Sequence, residues 1–184
     1  MPCIQVGEKL PDFTVDTQDL EGVTLHSLLK GKTILRVLRY IGCPSCRLDV
    51  HEIAESYGDF TTRGAQVLVV MQSTPDSLNA ALNEEDRAIT YVCDPELQIY
   101  RALAIDPAKT KEELIGTDPS AWAAKRARAD AAGYVHGASE GEEMQLPAMF
   151  IVDEVGTVLF AHYGKTIPDI PTVDEMLALL DGLR

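Results

Sequence analysis

With 184 residues and 46% apolar content, the chain can bury one sizeable core, and it is read as a single domain over residues 1–184. A formal net charge of −13 argues against general nucleic-acid binding, and no apolar run is long enough to cross a bilayer. The start, Met1-Pro2-Cys3-Ile4-Gln5-Val6-Gly7-Glu8, lacks a basic stretch followed by an apolar one. No signal peptide and no membrane partner are therefore expected, and a cytoplasmic protein is.

Residues 12–17 and 22–25 read as two short strands, a candidate hairpin across 18–21, followed by a helical turn at 27–30. Thr33-Ile34-Leu35-Arg36-Val37-Leu38 opens a strand that runs to Tyr40. After Gly42, Val50, Ile53, Ala54 and Tyr57 recur at helical spacing, which predicts a helix ending near Gly64. Residues 65–71 form a nearly unbroken apolar run, as expected of a strand buried on both faces. A helix from Thr74-Pro75 to about Glu85 follows, then a strand at 89–93, then a helix opened by Asp94-Pro95 with Ile99, Tyr100 and Leu103 on one side. Strands and helices alternating at this spacing predict βαβ units and a parallel core in an α/β fold.

Residues 106–146 break the rhythm as an insertion with no convincing strand. Asp118-Pro119 starts an alanine-rich helix from Ala121 to about Ala132, stopped by Gly133. Its Lys125, Arg126 and Arg128 suit a helix carboxyl end, or else a docking patch for an acidic partner. Trp122 reads as a packing anchor, and 137–143 as a polar, mobile stretch. The sheet then resumes with an antiparallel hairpin, 147–152 and 157–163. Thr172-Val173-Asp174-Glu175 is a capping box opening the last helix.

The candidate chemistry lies in Arg39-Tyr40-Ile41-Gly42-Cys43-Pro44-Ser45-Cys46-Arg47. Pro44 suits the first helical position, so Cys43 falls at the helix tip beside unpaired N–H groups and the positive end of the dipole. Those surroundings favour a thiolate, and Cys43 is expected to be exposed. Cys46, in register with Val50 and Ile53, is expected to face the core. Arg39 and Arg47 are the nearby cations that could acidify Cys43 further.

Two rival readings of the pair remain: half of a zinc site, and two inert core cysteines. A zinc site wants four ligands, and beyond this pair the chain has only the isolated Cys3 and Cys93. His51, His136 and His162 could supply ligands, though each is read first as an ordinary polar residue, and no metal or cofactor is expected. Cys93 is read as a buried hydrophobe or else a second resolving thiol. Cys3 is a candidate for pairing between two copies, and a homodimer is one assembly open to the chain.

A strand, a CxxC at the head of a helix, a βα crossover, then Leu146-Pro147 leading into a hairpin and a final helix: this order resembles the thioredoxin fold. The resemblance implies that Pro147 is the fold's cis-proline, facing the redox pair, with the backbone of Leu146 open to a substrate chain. The phrases Val6-Gly7-Glu8-Lys9-Leu10-Pro11-Asp12-Phe13, Val92-Cys93-Asp94-Pro95-Glu96-Leu97 with Tyr100, and Phe150-Ile151-Val152-Asp153-Glu154-Val155-Gly156 resemble the peroxiredoxin-like alkyl hydroperoxide reductase/thiol-specific antioxidant superfamily. Typical peroxiredoxins carry P-x-x-x-T/S-x-x-C. Counting back from Cys46 those positions hold Arg39 and Cys43, and from Cys43 they hold Arg36 and Tyr40. The resemblance is therefore to a branch that keeps a thioredoxin-style pair.

It implies a mixed sheet flanked by helices and a thiol-dependent redox enzyme, with Cys43 attacking and Cys46 resolving. The substrate is a peroxide or a disulfide, and the reductant a thioredoxin-like or low-molecular-weight thiol. The insertion is expected to flank the site and to restrict what reaches Cys43.

Overall fold

The computed structural model describes residues 3–183; Met1 and Pro2, on which part of the expectation about the amino end rests, lie outside that range. Seven strands form one mixed sheet: β1 (Thr14–Thr17), β2 (Val23–Thr24), β3 (Lys32–Val37), β4 (Ala65–Met71), β5 (Thr90–Cys93), β6 (Ala148–Val152) and β7 (Val158–Tyr163). Their order is β2-β1-β5-β4-β3-β6-β7. The central β5-β4-β3 pairings are parallel, while β1 and β6 run antiparallel to their central neighbours. This is the mixed α/β sheet that the thioredoxin-like reading requires.

Strand periodicity divides the core in two. Ile34, Val67, Val69, Tyr91, Met149 and Ile151 face one side. Their sequence neighbours Leu35, Leu68, Val70, Val92, Phe150 and Val152 face the other. Both sides are covered, which is why β4 and β6 carry almost no polar residue.

The predicted long helix after the CxxC is two helices, α1 (Pro44–Glu55) and α2 (Tyr57–Thr62). They separate at Ser56, whose φ −101° and ψ 11° leave the helical region. Next, α3 (Pro75–Ala81) stops four residues short of the expected Glu85. The helix expected at Asp94-Pro95 begins later, as α4 (Gln98–Ala102), after Leu97 at φ 56°. Asp94 still acts as its cap: its carboxylate accepts the N–H groups of Gln98 at 2.9 Å and Ile99 at 2.8 Å.

Within the insertion, the short α5 (Lys111–Ile115) was not foreseen, although Thr110 caps it through the N–H of Glu113. The predicted alanine-rich helix is α6 (Ser120–Ala131). The insertion's two ends meet in an isolated bridge, Pro107 with Gln145. Finally α7 (Val173–Gly182) opens on the predicted capping box.

One expectation is overturned. No cis peptide bond occurs among the described residues, so Leu146–Pro147 is trans. Trans is the lower-energy isomer even before proline, and the carbonyls on both sides of the bond are already engaged within the chain. The Leu146 carbonyl accepts from the Gln145 side chain, and the Pro147 carbonyl accepts from Gly164 N–H. Pro147 does enter the sheet at the right end, because Ala148 pairs with Val37, the last residue of β3.

Candidate redox site

The site begins where β3 runs out. Leu38 makes one more parallel bond, to the Val70 carbonyl, and the chain then turns through residues 39–42. Cys43 N–H closes that turn on the Tyr40 carbonyl at 3.1 Å, and Ile41 N–H donates to Ser73 Oγ at 2.8 Å. Cys43 is the N-cap of α1 in extended conformation, with Pro44 at the first helical position as expected. Its sulfur does the work an N-cap oxygen usually does, accepting the Cys46 N–H at 3.4 Å.

A second donor reaches the same sulfur. Arg39 Nη2 lies 2.9 Å from Cys43 Sγ, while Arg39 Nη1 donates to the Glu143 carbonyl at 2.7 Å. The guanidinium is thus clamped between the insertion and the sulfur, with Tyr40 beneath it, 5.6 Å from ring centroid to Arg39 Cζ. The Cys43 thiol is lowered to about 6, first by the hydrogen bond from the Cys46 thiol; burial opposes this, and Arg39 assists. Cys46 moves the other way. Burial raises it first, then the hydrogen bond it gives to Cys43 and the charge there. Both cysteines are free thiols, three residues apart and opposite in acidity.

The expectation that Cys43 is exposed is overturned: its relative exposure is 0%. Cys43 packs into the core cluster with Arg39 on its sulfur, and the last stretch of the insertion, residues 136–143, straps across the turn that carries it. Gly137 N–H donates to the Gly42 carbonyl at 2.8 Å. A Cβ on Gly42 would collide with the Ala138 carbonyl oxygen, and one on Gly137 would sit 3.2 Å from Gly42 Cα. Two glycines are needed for so close an approach of backbones. Glu140 accepts from Ser73 Oγ at 2.6 Å and Thr74 N–H at 3.4 Å, and Gln72 Nε2 donates to the Glu142 carbonyl at 3.3 Å. The stretch read as polar and mobile therefore has a fixed set of partners.

His136 belongs to this strap. Its Nδ1 faces the Gly137 carbonyl at 2.8 Å and so carries the proton, which leaves Nε2 to accept from the Tyr40 hydroxyl at 3.1 Å. The sequence reading passed over Tyr40, Ser73 and Glu143, whose roles depend on contacts across 32 to 104 residues. The only local signal was the glycines.

The other sequence candidates lie apart. Arg47 donates to the Ala81 carbonyl at 3.1 Å and lies over the Tyr134 ring at 5.0 Å. Pro147 is buried and lines a separate hollow with Cys3 and Tyr163. Cys93 is buried at the end of β5, its thiol pushed up to about 12 by burial and by Asp16 and Glu140. His51 and His162 face Glu55 and Asp169. Among the described residues no group of three or more His, Cys, Asp or Glu is gathered as a metal cluster would be.

Two of the three cations in the basic cluster of α6 are spent on α1. Lys125 Nζ is 2.7 Å from Asp49, Arg128 pairs with Glu52, and Arg126 pairs within the helix with Asp130 at 2.9 Å. Asp49 also meets Arg36 at 3.3 Å, with side-chain exposures of 3% for Arg36 and 8% for Asp49. Burial alone would raise the Asp49 carboxyl, but Lys125 and Arg36 hold it below the usual range. Beside the turn lies a cavity of about 380 Å³ whose lining includes Arg39, Tyr40, Pro44 and Ser45 but not Cys43. Trp122 is half-buried in its wall, as the anchoring role predicted.

Structural neighbours agree with this architecture. The peroxiredoxin 6 of Arenicola marina superposes with a TM-score of 0.73 at 14% identity, covering 98% of this chain and 73% of that one. Peroxidoxin BcpB from Mycobacterium tuberculosis gives 0.70 at 14%, covering 98% and 99%. By sequence, a "Putative peroxiredoxin" of Mycobacterium tuberculosis is 22% identical over 160 residues, 86% of this chain and 84% of its own. One from Helicobacter pylori is 23% identical over 117 residues, 62% and 77%. The AhpC/TSA family matches residues 6–161, from the amino-terminal phrase through the hairpin. With this fold and that match over most of its length, the chain belongs to the AhpC/TSA family, as a peroxiredoxin-like, thiol-dependent redox enzyme.

Proposed function

We propose that the protein reduces hydroperoxides, with Cys43 as the nucleophile and Cys46 as the resolving thiol. The observation that carries this reading is a thiol lowered to about 6 and bonded by Arg39, yet with no exposed surface. A folded protein disulfide needs its sulfur pair brought in line with the attacking thiolate, which a buried Cys43 resists. The O–O group of a slender peroxide is small enough to arrive beside Arg39.

Cys43 thiolate attacks one peroxide oxygen, and the O–O bond breaks. The other oxygen leaves with the bonding pair and takes a proton, giving an alcohol or water. Cys43, oxidised by two electrons, becomes a sulfenic acid. Arg39 would offset the negative charge as it moves from sulfur to the departing oxygen. Cys46 then forms the S–S bond, and the sulfenic hydroxyl departs with the Cys46 proton as water. A thioredoxin-like or small thiol reductant restores both thiols by exchange. The raised Cys46 holds its proton until Cys43 loses its charge, so the two sulfurs do not compete for the peroxide.

Stopped-flow oxidation of the reduced protein by hydrogen peroxide and by a small disulfide tests this reading. The peroxide should react faster, and mass mapping should find Cys43 bridged to Cys46. Faster reaction with the disulfide would favour thiol–disulfide exchange instead, and a dominant Cys46–Cys93 bridge would remove Cys46 from the assigned role.

A further inference from the structure

The strap is joined to the redox turn through one imidazole that solvent can reach. His136 is exposed at the head of residues 136–143, and both of its ring nitrogens are in use. Nδ1–H donates to the Gly137 carbonyl at 2.8 Å, and Nε2 accepts from the Tyr40 hydroxyl at 3.1 Å. Tyr40 is fully buried, and the two rings meet edge to face with centroids 6.1 Å apart. Tyr40 also lies under the Arg39 guanidinium, and its carbonyl accepts the Cys43 N–H. The next residue of the strap, Gly137, bonds Gly42 in the same turn. The ring thus ties the strap to the residues that position Arg39 and Cys43.

A neutral imidazole suits this place and an imidazolium does not. Once protonated, Nε2 carries a hydrogen and can no longer accept, so the Tyr40 hydroxyl has to turn round or lose its partner. A buried hydroxyl without an acceptor is costly. The charged groups around the ring add to the effect. Arg39 from the turn, Lys111 from α5 and Arg126 from α6 line the same cavity as His136, against Glu143 of the strap. The Glu143 carboxylate is bonded by Ser139 Oγ, Arg126 pairs with Asp130, and Arg39 holds the Cys43 sulfur. Glu140, also on the strap, is bonded by Ser73 Oγ. A further cation placed among three is repelled.

We infer that His136 is a positioning residue, which holds the strap on the redox turn while neutral and releases it when protonated. Histidine is the side chain that changes charge across the physiological pH range. Cys43 has no exposed surface, so a large reagent reaches it only when its surroundings open. The strap is the part of those surroundings held by polar contacts near the surface. Acid therefore opens the site to bulky partners, and a small oxidant gains little from the change. This concerns access to the sulfur and goes beyond the choice between peroxide and disulfide.

Two maleimides of equal intrinsic reactivity, one small and one carried on a bulky polymer, test the inference on the full-length reduced protein. Labelling at Cys43 is followed by peptide mass from about pH 5 to about pH 8. Both reagents need the thiolate, so the ratio of the bulky rate to the small rate cancels the ionisation of Cys43. In the parent that ratio should rise by about fivefold toward the acid end, the factor that one lost hydrogen bond makes in an opening equilibrium. His136→Gln keeps an oxygen able to accept from Tyr40 and takes up no proton. Its ratio should stay at the parent's alkaline value throughout. Tyr40→Phe removes the bond at every pH, so its ratio should be high and flat.

A parent ratio that does not change with pH would overturn the inference. So would a ratio that climbs equally in His136→Gln, because the strap's carboxylates, present in both proteins, would then carry the pH dependence. Should Tyr40→Phe fail to fold, the parent and His136→Gln still decide the matter between them.

Discussion

The insertion grips the redox helix in two places, and the two grips are built from different physics. Midway along α1, α6 meets it through Lys125, Asp49 and Arg36, three charges that share a site with little access to water. At the tip of α1, residues 136–143 lie on the turn through backbone bonds and short polar contacts. The first grip involves no reacting atom. The second holds Arg39, which bonds the Cys43 sulfur, and lies across the turn that carries it. A buried charge cluster cannot be half-made, because each orphaned charge is costly. Hydrogen bonds near the surface can open one at a time at a much smaller cost. Stability should therefore follow the first contact, and reactivity the second.

Asp49→Ala breaks the comparison most severely. It leaves Arg36 and Lys125 facing each other without their carboxylate, and should lose about 3–5 kcal/mol in urea unfolding. The parent's pH dependence has a defined sign. The Asp49 carboxyl is held below its unfolded value, so its contribution is fully present above the ordinary aspartate range. It fades as pH falls through the lower folded value. A loss under about 1 kcal/mol would mean that α6 is held by other contacts.

Gly42→Ala comes next, and it acts on the strap. The new Cβ has to push the Ala138 carbonyl away, at about 1–3 kcal/mol if the strap stays in place. Lifting the strap relieves the clash, so Cys43 should be labelled faster by a bulky maleimide than in the parent. Unchanged labelling with lowered stability would show that the strap stays seated and the turn takes the strain.

How much of this was legible in the sequence divides along the same line. Local signals were strong where chain neighbours make the contact: the polar-Pro starts of α1 and α3, the capping box of α7, and the alternating faces of β3, β4 and β6. The helix-tip position of Cys43 and the inward Cys46 came from the same reasoning. Its burial did not, because the strap that packs on its turn lies 93 residues or more further along the chain and carries no periodicity. The basic cluster of α6 was read against the helix dipole or an outside partner. Lys125 and Arg128 instead pair with Asp49 and Glu52 on α1, and that pairing becomes visible only once two helices are placed side by side. Pro147 shows the converse: the sequence order suited a cis bond, but the backbone there is trans and already hydrogen-bonded.

Arg39→Met sharpens the electrostatic half of the comparison. Without the guanidinium, the Cys43 thiol should rise from about 6 toward the ordinary thiol range. Near pH 6.5 a rise of about one unit cuts the thiolate from about three-quarters to about one-quarter, so alkylation by a small reagent should slow by about threefold. The sign of the pH dependence follows: the parent's rate climbs through pH about 6, and the variant's climb is displaced upward. An unshifted profile would assign the acidity to the Cys46 hydrogen bond and the helix tip alone.

The smallest effect belongs to the outer edge of the strap, at Glu140. Its carboxylate accepts from Ser73 Oγ, and Ser73 Oγ in turn accepts the N–H of Ile41 in the CxxC turn. Glu140→Ala cuts the strap's link to that turn but leaves the Gly137–Gly42 bond and the Arg39–Glu143 clamp in place. The loss should be about 1 kcal/mol, that of one partly buried hydrogen bond, and Arg39 should keep its place on the sulfur. Hydrogen peroxide needs a far smaller opening to reach the buried sulfur than a bulky reagent does, so its rate with Cys43 should stay close to the parent's. A bulky disulfide or maleimide needs the strap open, and its rate should rise by about threefold to fivefold if the cost of opening falls by that amount. Equal acceleration of both reagents would mean that Glu140 acts on the acidity of Cys43 rather than on access to it.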